Sequence, residues 1–409
     1  MTQRPILPAL ALLALLPGCV GANVTTSPRP EARPATLTAP AGNFSTWLVG
    51  FEARAAAAGI SAATLATARP HLRYLPDSIA LDRRQSEFGA RVWEYMDSAV
   101  TPARIAAGQA AMRTHARTLA QIEARFGVPP EVVVAIWGIE SSFGANRGRT
   151  PLLATLATLA KDGRRGPFFE AQLIDALRVV QAGDKAPAQM VGSWAGAFGH
   201  VQFMPSSFLA YAVDFNGDGR RDLWSEDPGD ALASAANYLT QRGWTRGQPW
   251  AVEVASPPDL SLTGQRLSGA DWAARGLRAV DGRPLPNAPS RLILPGGARG
   301  PAFLAYGNYD VLKEYNISDA YVLALGHLSD RLRGGAALRG QWPRGDRALT
   351  RAERTEVQRL LNAKGFDTAG IDGRLGPASV AAVQGWQRAR GLPPDGYINA
   401  DLLARLRRE

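Results

Sequence analysis

Apolar residues recur at three- and four-residue spacing through most of the chain between Phe44 and Leu332. FSTWLVGFEARAAAAG, TPARIAAGQAAMRTHARTLAQIEARFG and PFFEAQLIDALRVVQAG all carry this spacing, which predicts helices. GVPPEVVVAIWGIESSFG, Gly127 to Gly144, is apolar almost throughout and reads as one helix. Pro129 and Pro130 suit its start, Glu131 its first turn and Gly144 its end. Between Trp250 and Leu304 the pattern changes, because AVEVA and SRLILP alternate or run apolar between Pro and Gly clusters. A few short strands inserted in a helical body are expected. Residues 333–347 are rich in Gly and Arg and read as a linker. Residues 348–409 then form a separate compact unit, with Val357, Leu360 and Leu361 on one helical face and Val380, Val383 and Trp386 on another.

The N-terminal pattern is of a different kind. Arg4 is followed by an apolar run from Ile6 to Leu16 that is too short to span a bilayer and suits a signal-peptide core. It ends in Leu16-Pro17-Gly18-Cys19, similar to the bacterial lipobox, whose cysteine is lipidated and becomes the mature N-terminus. Residues 1–19 are thus expected to be a signal peptide with Cys19 as lipidation site; Pro17, unusual in that motif, keeps a soluble, conventionally cleaved form as the alternative. Val20 after the cysteine implies, by resemblance to such lipoproteins, the periplasmic face of the outer membrane. Residues 20–43 are rich in Pro, Thr, Ala and Ser without hydrophobic period, as in a disordered tether.

Composition narrows the chemistry. The chain has 409 residues and 46% apolar content, enough for two or three domains with real cores. Cys19 is its one cysteine, so neither a disulfide framework nor a cysteine metal site is available. Its four histidines are isolated, which argues against a zinc site. The net charge of +10 comes mostly from scattered Arg; it suits an acidic polymer but equally reflects an Arg- and Ala-rich composition. No nucleic-acid partner is expected.

The strongest candidate for chemistry is Glu140, a lone carboxylate beside Ile136, Trp137 and Phe143 at helical spacing. Burial of that face would raise its pKa and keep it protonated near neutral pH, as a general acid requires; a solvated helix-end carboxylate is the alternative. A hydrolase using two carboxylates would place a second one across the scissile bond, and no obvious partner accompanies Glu140. A second block, GSWAGAFGHVQFMPSSF from Gly192 to Phe208, has small residues that let the backbone pass close to another surface, with Ser193 and Gln202 able to offer hydrogen bonds. It is either a tight polar turn lining a groove or a Gly-rich helix junction.

VPPEVVVAIWGIESSFG followed by GAFGHVQFMPSS resembles the MltB-type lytic murein transglycosylases, over roughly residues 44–332. The resemblance implies a lysozyme-like helical catalytic domain that cuts the bond between N-acetylmuramic acid and N-acetylglucosamine without water. One Glu, here Glu140, then acts as acid and base, and the substrate's own N-acetyl group and C6 hydroxyl serve as nucleophiles, with no cofactor for the chemistry. It further implies that Ser193 and Gln202 bind glycan, that Tyr95 in WEYMDSAV is a groove tyrosine, that Tyr238 in SAANYL is an aromatic wall residue, and that Asn316 in KEYNISDAY positions the N-acetyl group. For all five the alternative is a side chain satisfied by backbone. His200 is expected to be a groove or packing residue rather than a base.

In DFNGDGRRDLW, Asp214, Asn216 and Asp218 occupy positions one, three and five of an EF-hand loop, Gly219 the turn at six, the Arg220 carbonyl seven and Asp222 nine. Ser225 stands at twelve, where a bidentate Glu is expected. The resemblance places the closing carboxylate later, at Asp230, and implies a structural Ca2+; a polar turn held by its own Asp and Asn side chains is the alternative. The C-terminal unit, with DGRLGPASVAAVQGWQ and GLPPDG, resembles a three-helix peptidoglycan-binding domain. It would hold a monomeric enzyme near insoluble glycan strands. A catalytically silent murein-binding lipoprotein and a lysozyme-like hydrolase are the competing readings.

Overall fold

The computed structural model describes residues 41–84, 91–255 and 259–409. Residues 1–40, which include Cys19 and most of the tether, lie outside the described residues, so the lipidation and tether expectations are not addressed by it. Among the described residues no helix is long and apolar enough to cross a membrane.

The architecture is mainly α. The apolar stretch after Gly127 forms a helix at Pro130–Ser141, started by Pro129 in extended conformation with Pro130 in the first turn. Val132 to Gly138 are all buried, as expected of a helix that is hydrophobic all round and therefore central to its domain. Around it pack the helices Pro102–Thr114, Ala116–Phe126, Gly229–Gln241 and Asp319–Leu332. The long segment from Thr101 to Gly127 divides into two of these helices at His115.

Helix Pro130–Ser141 stops sooner than the sequence pattern predicts. Ser142 and Phe143 both take left-handed backbone conformations, with φ of 51° and 58°. Non-glycine residues adopt this region rarely and hold it only when the surroundings enforce it. Here the Phe143 ring folds back over Trp137, at 5.8 Å and near-perpendicular. Gly138 makes room for that ring, since a Cβ at 138 would lie 2.7 Å from it. Phe143 therefore seals the helix end rather than extending its apolar face.

The strands between Trp250 and Ala305 form a four-stranded antiparallel sheet, ordered Ala251–Val254, Ala302–Ala305, Ser290–Ile293, Arg266–Leu267. Its own small core gathers Val254, Trp272, Leu292 and Leu304. The C-terminal unit is three helices, Arg351–Ala363, Pro377–Ala389 and Ala400–Arg408, closed on Val357, Leu361, Val383, Trp386 and Leu403. A Thr350–Glu353 capping box begins it.

Residues 333–347, read from the sequence as a linker, carry no helix or strand and pack against the main domain. Leu338 and Trp342 pack against the main core, and the Arg339 and Gly340 amides donate to the Glu253 carboxylate at 2.7 to 3.1 Å. Gly- and Arg-rich composition removes regular secondary structure, but it does not prevent a segment from being laid down as a strap.

Candidate active site

Glu140 stands in the last turn of its helix, where the Ser142–Phe143 reversal carries the chain abruptly away. Its Oε1 accepts a hydrogen bond from the Tyr321 hydroxyl at 2.5 Å. Tyr321 is a buried residue of helix Asp319–Leu332, which packs lengthwise on the Glu140 helix. Glu140 is half-buried. Burial pushes its pKa up from 4.5 to about 7, against the smaller opposing pull of the Tyr321 hydrogen bond. No other carboxylate among the described residues contributes to that shift.

Two more tyrosines interact electrostatically with Glu140. Tyr95, on helix Val92–Ala99, is raised to about 12 by burial first and then by the Glu140 charge. Tyr315 is raised well above 10 for the same two reasons in the same order. The Tyr315 hydroxyl donates to the Val201 carbonyl at 2.7 Å, tying its helix, Gly307–Tyr315, to the block that holds Gln202.

Ser193 and Gln202 are both anchored to the loop that leaves the Glu140 helix. Strand Val191–Gly192 pairs with Thr150–Pro151, Gly192 opposite Thr150. Gly148, at φ +86°, passes so close that a Cβ would lie 2.1 Å from the Gly192 carbonyl carbon; only glycine permits both the conformation and the approach. The Ser193 Oγ accepts from the Ala197 amide at 3.1 Å and retains its own proton to donate. Gln202, itself left-handed at φ 49°, donates through Nε2 to the Arg147 and Gly199 carbonyls at 3.2 and 2.9 Å. Its Oε1 then has no donor among the described residues and is free to accept from a ligand.

His200 is buried and bridges the two blocks. Trp137 Nε1 donates to its Nδ1 at 3.0 Å, and its Nε2 lies 2.7 Å from the Ser225 carbonyl. That pair of partners defines a neutral ring with the proton on Nε2. Burial, the larger influence, pulls its pKa down. The Ser141 hydroxyl also donates to the His200 carbonyl at 2.6 Å. The imidazole is thus a fixed brace, as expected, and not a base.

Tyr238 and Asn316 both bond to nearby backbone. Tyr238 is 7% exposed, and its hydroxyl donates to the Glu314 carbonyl at 2.6 Å. Its ring packs on Tyr211, Tyr315 and Phe203 at 4.7, 5.0 and 5.9 Å. Asn316 is exposed at the junction of helices Gly307–Tyr315 and Asp319–Leu332, and its Oδ1 accepts from the Ser318 amide at 3.1 Å. This is a turn-forming contact, and no contact among the described residues joins Asn316 to Glu140.

The loop from Asp214 closes on itself. Asp214 accepts from the Gly217, Asp218 and Gly219 amides at 2.7 to 3.2 Å, Asn216 from the Asp218 amide, and Asp218 from the Arg220 amide. Asp230, buried in the first turn of helix Gly229–Gln241, takes the Phe215, Asn216 and Asp222 amides. Asp222 pairs with Lys185 at 2.9 Å. Among the described residues no three acidic, His or Cys side chains converge as metal ligands. The backbone amides do the work of holding these carboxylates.

Sequence reading missed Tyr321 and Tyr315. Tyr321 lies 181 residues from Glu140, beyond any local pattern. A tyrosine amid the apolar residues of helix Asp319–Leu332 was the available signal, since a buried hydroxyl calls for a partner.

The family Transglycosylase SLT domain matches residues 43–330, and a peptidoglycan binding domain family matches residues 350–406. Membrane-bound lytic murein transglycosylase B of Escherichia coli (strain K12) is 35% identical over 241 residues, 57% of this chain. The matched part spans 65% of that relative's length. SltB3 from Pseudomonas aeruginosa, solved in complex with NAG-anhNAM-pentapeptide, superposes with a TM-score of 0.85 at 44% identity, over 89% of this chain and 99% of that one. The Escherichia coli lytic transglycosylase Slt35, solved in complex with calcium, superposes with a TM-score of 0.59 at 30% identity, over 71% of this chain and 92% of that one. The chain belongs to the Transglycosylase SLT domain family and carries a C-terminal peptidoglycan-binding domain.

Proposed function

We propose that the protein is a lytic murein transglycosylase that cleaves the β-1,4 bond between N-acetylmuramic acid and N-acetylglucosamine. The observation that carries this is Glu140: a half-buried acid with a pKa of about 7, hydrogen-bonded to Tyr321, with no second carboxylate bearing on it. An acid poised near the working pH donates and accepts protons with equal ease. Protonated Glu140 gives its proton to the glycosidic oxygen as the C1–O bond breaks, and the N-acetyl carbonyl oxygen of the muramyl unit closes on C1. The carboxylate then removes the proton of the C6 hydroxyl, whose oxygen displaces the N-acetyl oxygen from C1. The product is a 1,6-anhydromuramyl end, and Glu140 is protonated again.

Ser193 and Gln202 would bind the glycan through the serine hydroxyl and the amide oxygen left open to a ligand. Tyr95 would offer its hydroxyl from the neighbouring helix, with Asn316 an exposed amide farther out. The C-terminal domain would hold the enzyme on the sacculus. Lipidation at Cys19, and with it the periplasmic face of the outer membrane, is part of the same reading, supported by the motif and by the membrane-bound relative. Purified sacculi test it: wild type should release soluble muropeptides, whereas Glu140→Gln should sediment with the sacculi and release none. Release by the variant would remove Glu140 from the chemistry, and binding without release by wild type would favour a silent binder.

A structural Ca2+ in the Asp214 loop belongs to this proposal. Asp214 lies near enough to Asp230 to raise its pKa, after the larger effect of burial, so an ion there would relieve repulsion between two carboxylates. Asp214, Asn216, Asp218, the Arg220 carbonyl and Asp230 would hold it. Calcium should raise the melting temperature of wild type and not that of Asp218→Ala; an unchanged wild type contradicts the site.

A further inference from the structure

Helix Val92–Ala99 has only two turns and carries Tyr95 toward the pocket. A helix this short has little stability of its own and is placed by what grips it. Helix Asp319–Leu332 packs along it, and the strap formed by residues 333–347 holds another face. Trp93 is 3% exposed, with the Trp342 ring 5.9 Å away and the Arg91 guanidinium 5.1 Å over its own ring. One turn along, the Asp97 carboxylate accepts both Arg344 Nη1 and Nη2, at 2.6 and 3.0 Å. Trp93 and Asp97 are four residues apart and share a helix face, while Tyr95 projects from the other side.

We propose that Trp342 and Arg344 are positioning residues for Tyr95: the strap fixes the helix that presents this tyrosine, and so sets the groove wall beside Glu140. The Arg344–Asp97 pair is more than half exposed on both sides, a setting in which ion pairs add little stability. Its two-point geometry does fix rotation and translation of the short helix. The strap also ties the two domains together, since Asp346 accepts from Arg299 of the main domain at 2.9 Å and from Asn399 of the C-terminal domain at 3.1 Å. Asn399 caps the last helix of that domain through its Oδ1. Seating of the glycan-holding domain and placement of Tyr95 are therefore joined through one segment.

The proposal rests on the reading of Glu140 as the acid, and its test separates the two. Full-length Trp342→Ala, Arg344→Gln and Trp342→Phe are compared with wild type for kcat/KM on a soluble glycan fragment across pH, for sacculus sedimentation, and for the Glu140 titration followed by 13C NMR. The groups facing Glu140 are Tyr95, Tyr315 and Tyr321, with Arg104 acting on Tyr95. Displacing Tyr95 admits water, so the Glu140 titration and the basic limb should both move to lower pH in the alanine and glutamine variants. Their kcat/KM should fall about 10-fold, within the range for a small misplacement near a reacting centre. Sedimentation should be unchanged, and Trp342→Phe should restore most of the rate. Unaltered titration and kcat/KM in Arg344→Gln, whose exposed pair can be removed without unfolding, would overturn the proposal. So would a loss confined to sedimentation. If wild type released no product, the acid reading would fail by itself, and the NMR titration would still report whether the strap positions the pocket.

Discussion

Glu140→Gln should make the protein more stable, and by an amount that depends on pH. The folded state holds Glu140 at about 7, against 4.5 for an unperturbed glutamate, chiefly through burial. Below pH 4.5 the group is protonated in both states and wild type carries no penalty. Between 4.5 and about 7 the unfolded chain releases this proton and the folded chain keeps it, so wild-type stability falls as pH rises; above 7 the loss is complete. At about 1.4 kcal/mol per pH unit this interval corresponds to about 3 kcal/mol. Because Glu140 is only partly buried, solvent lessens the penalty and about 2 kcal/mol is the expected value. Glutamine has the same shape, keeps an oxygen for the Tyr321 hydroxyl and cannot ionise. Urea unfolding of the two proteins at pH 4, 6 and 8 isolates the effect, since every other group titrates alike in both. The curves should coincide at pH 4 and separate by pH 8, with Glu140→Gln the more stable. Stabilities that stay parallel across this range would refute the elevated pKa.

Tyr321→Phe removes the hydrogen bond that pulls the Glu140 pKa down, so the basic limb of kcat/KM against pH should move upward; a limb that stays or falls would contradict that contact. Gly148→Ala places a methyl group against the Gly192 backbone in a left-handed conformation. It should destabilise the fold by about 2 to 4 kcal/mol, with a drop in melting temperature as readout, and a neutral effect would show that this approach is looser than described.

Much of this architecture is legible along the chain because burial writes itself into composition. The Glu140 helix is apolar on every side because it sits at the centre of its domain, and paired prolines mark its start. The Gly-rich block around Gln202 shows its close backbone approach for a similar reason, since at Gly148 and Gly192 any side chain would collide. What stayed hidden are features whose cause lies far away in sequence. Phe143 continues the helical spacing in text, but its ring is drawn into the space above Gly138, so the helix ends early. Tyr321 reaches Glu140 only through helix packing. The strap shares a linker's composition, because its attachments run through backbone amides, Arg344, Leu338 and Trp342 rather than an apolar stripe.

The chemistry assigned to Glu140 makes one demand on the product. If the C6 hydroxyl of the substrate is the final nucleophile, mass spectrometry of muropeptides released from sacculi by wild type should find muramyl ends lighter by one water than reducing ends, and none released by Glu140→Gln. Reducing muramyl ends would instead mean that water completes the reaction, and the account of a single acid and base working with the substrate's own nucleophiles would be wrong.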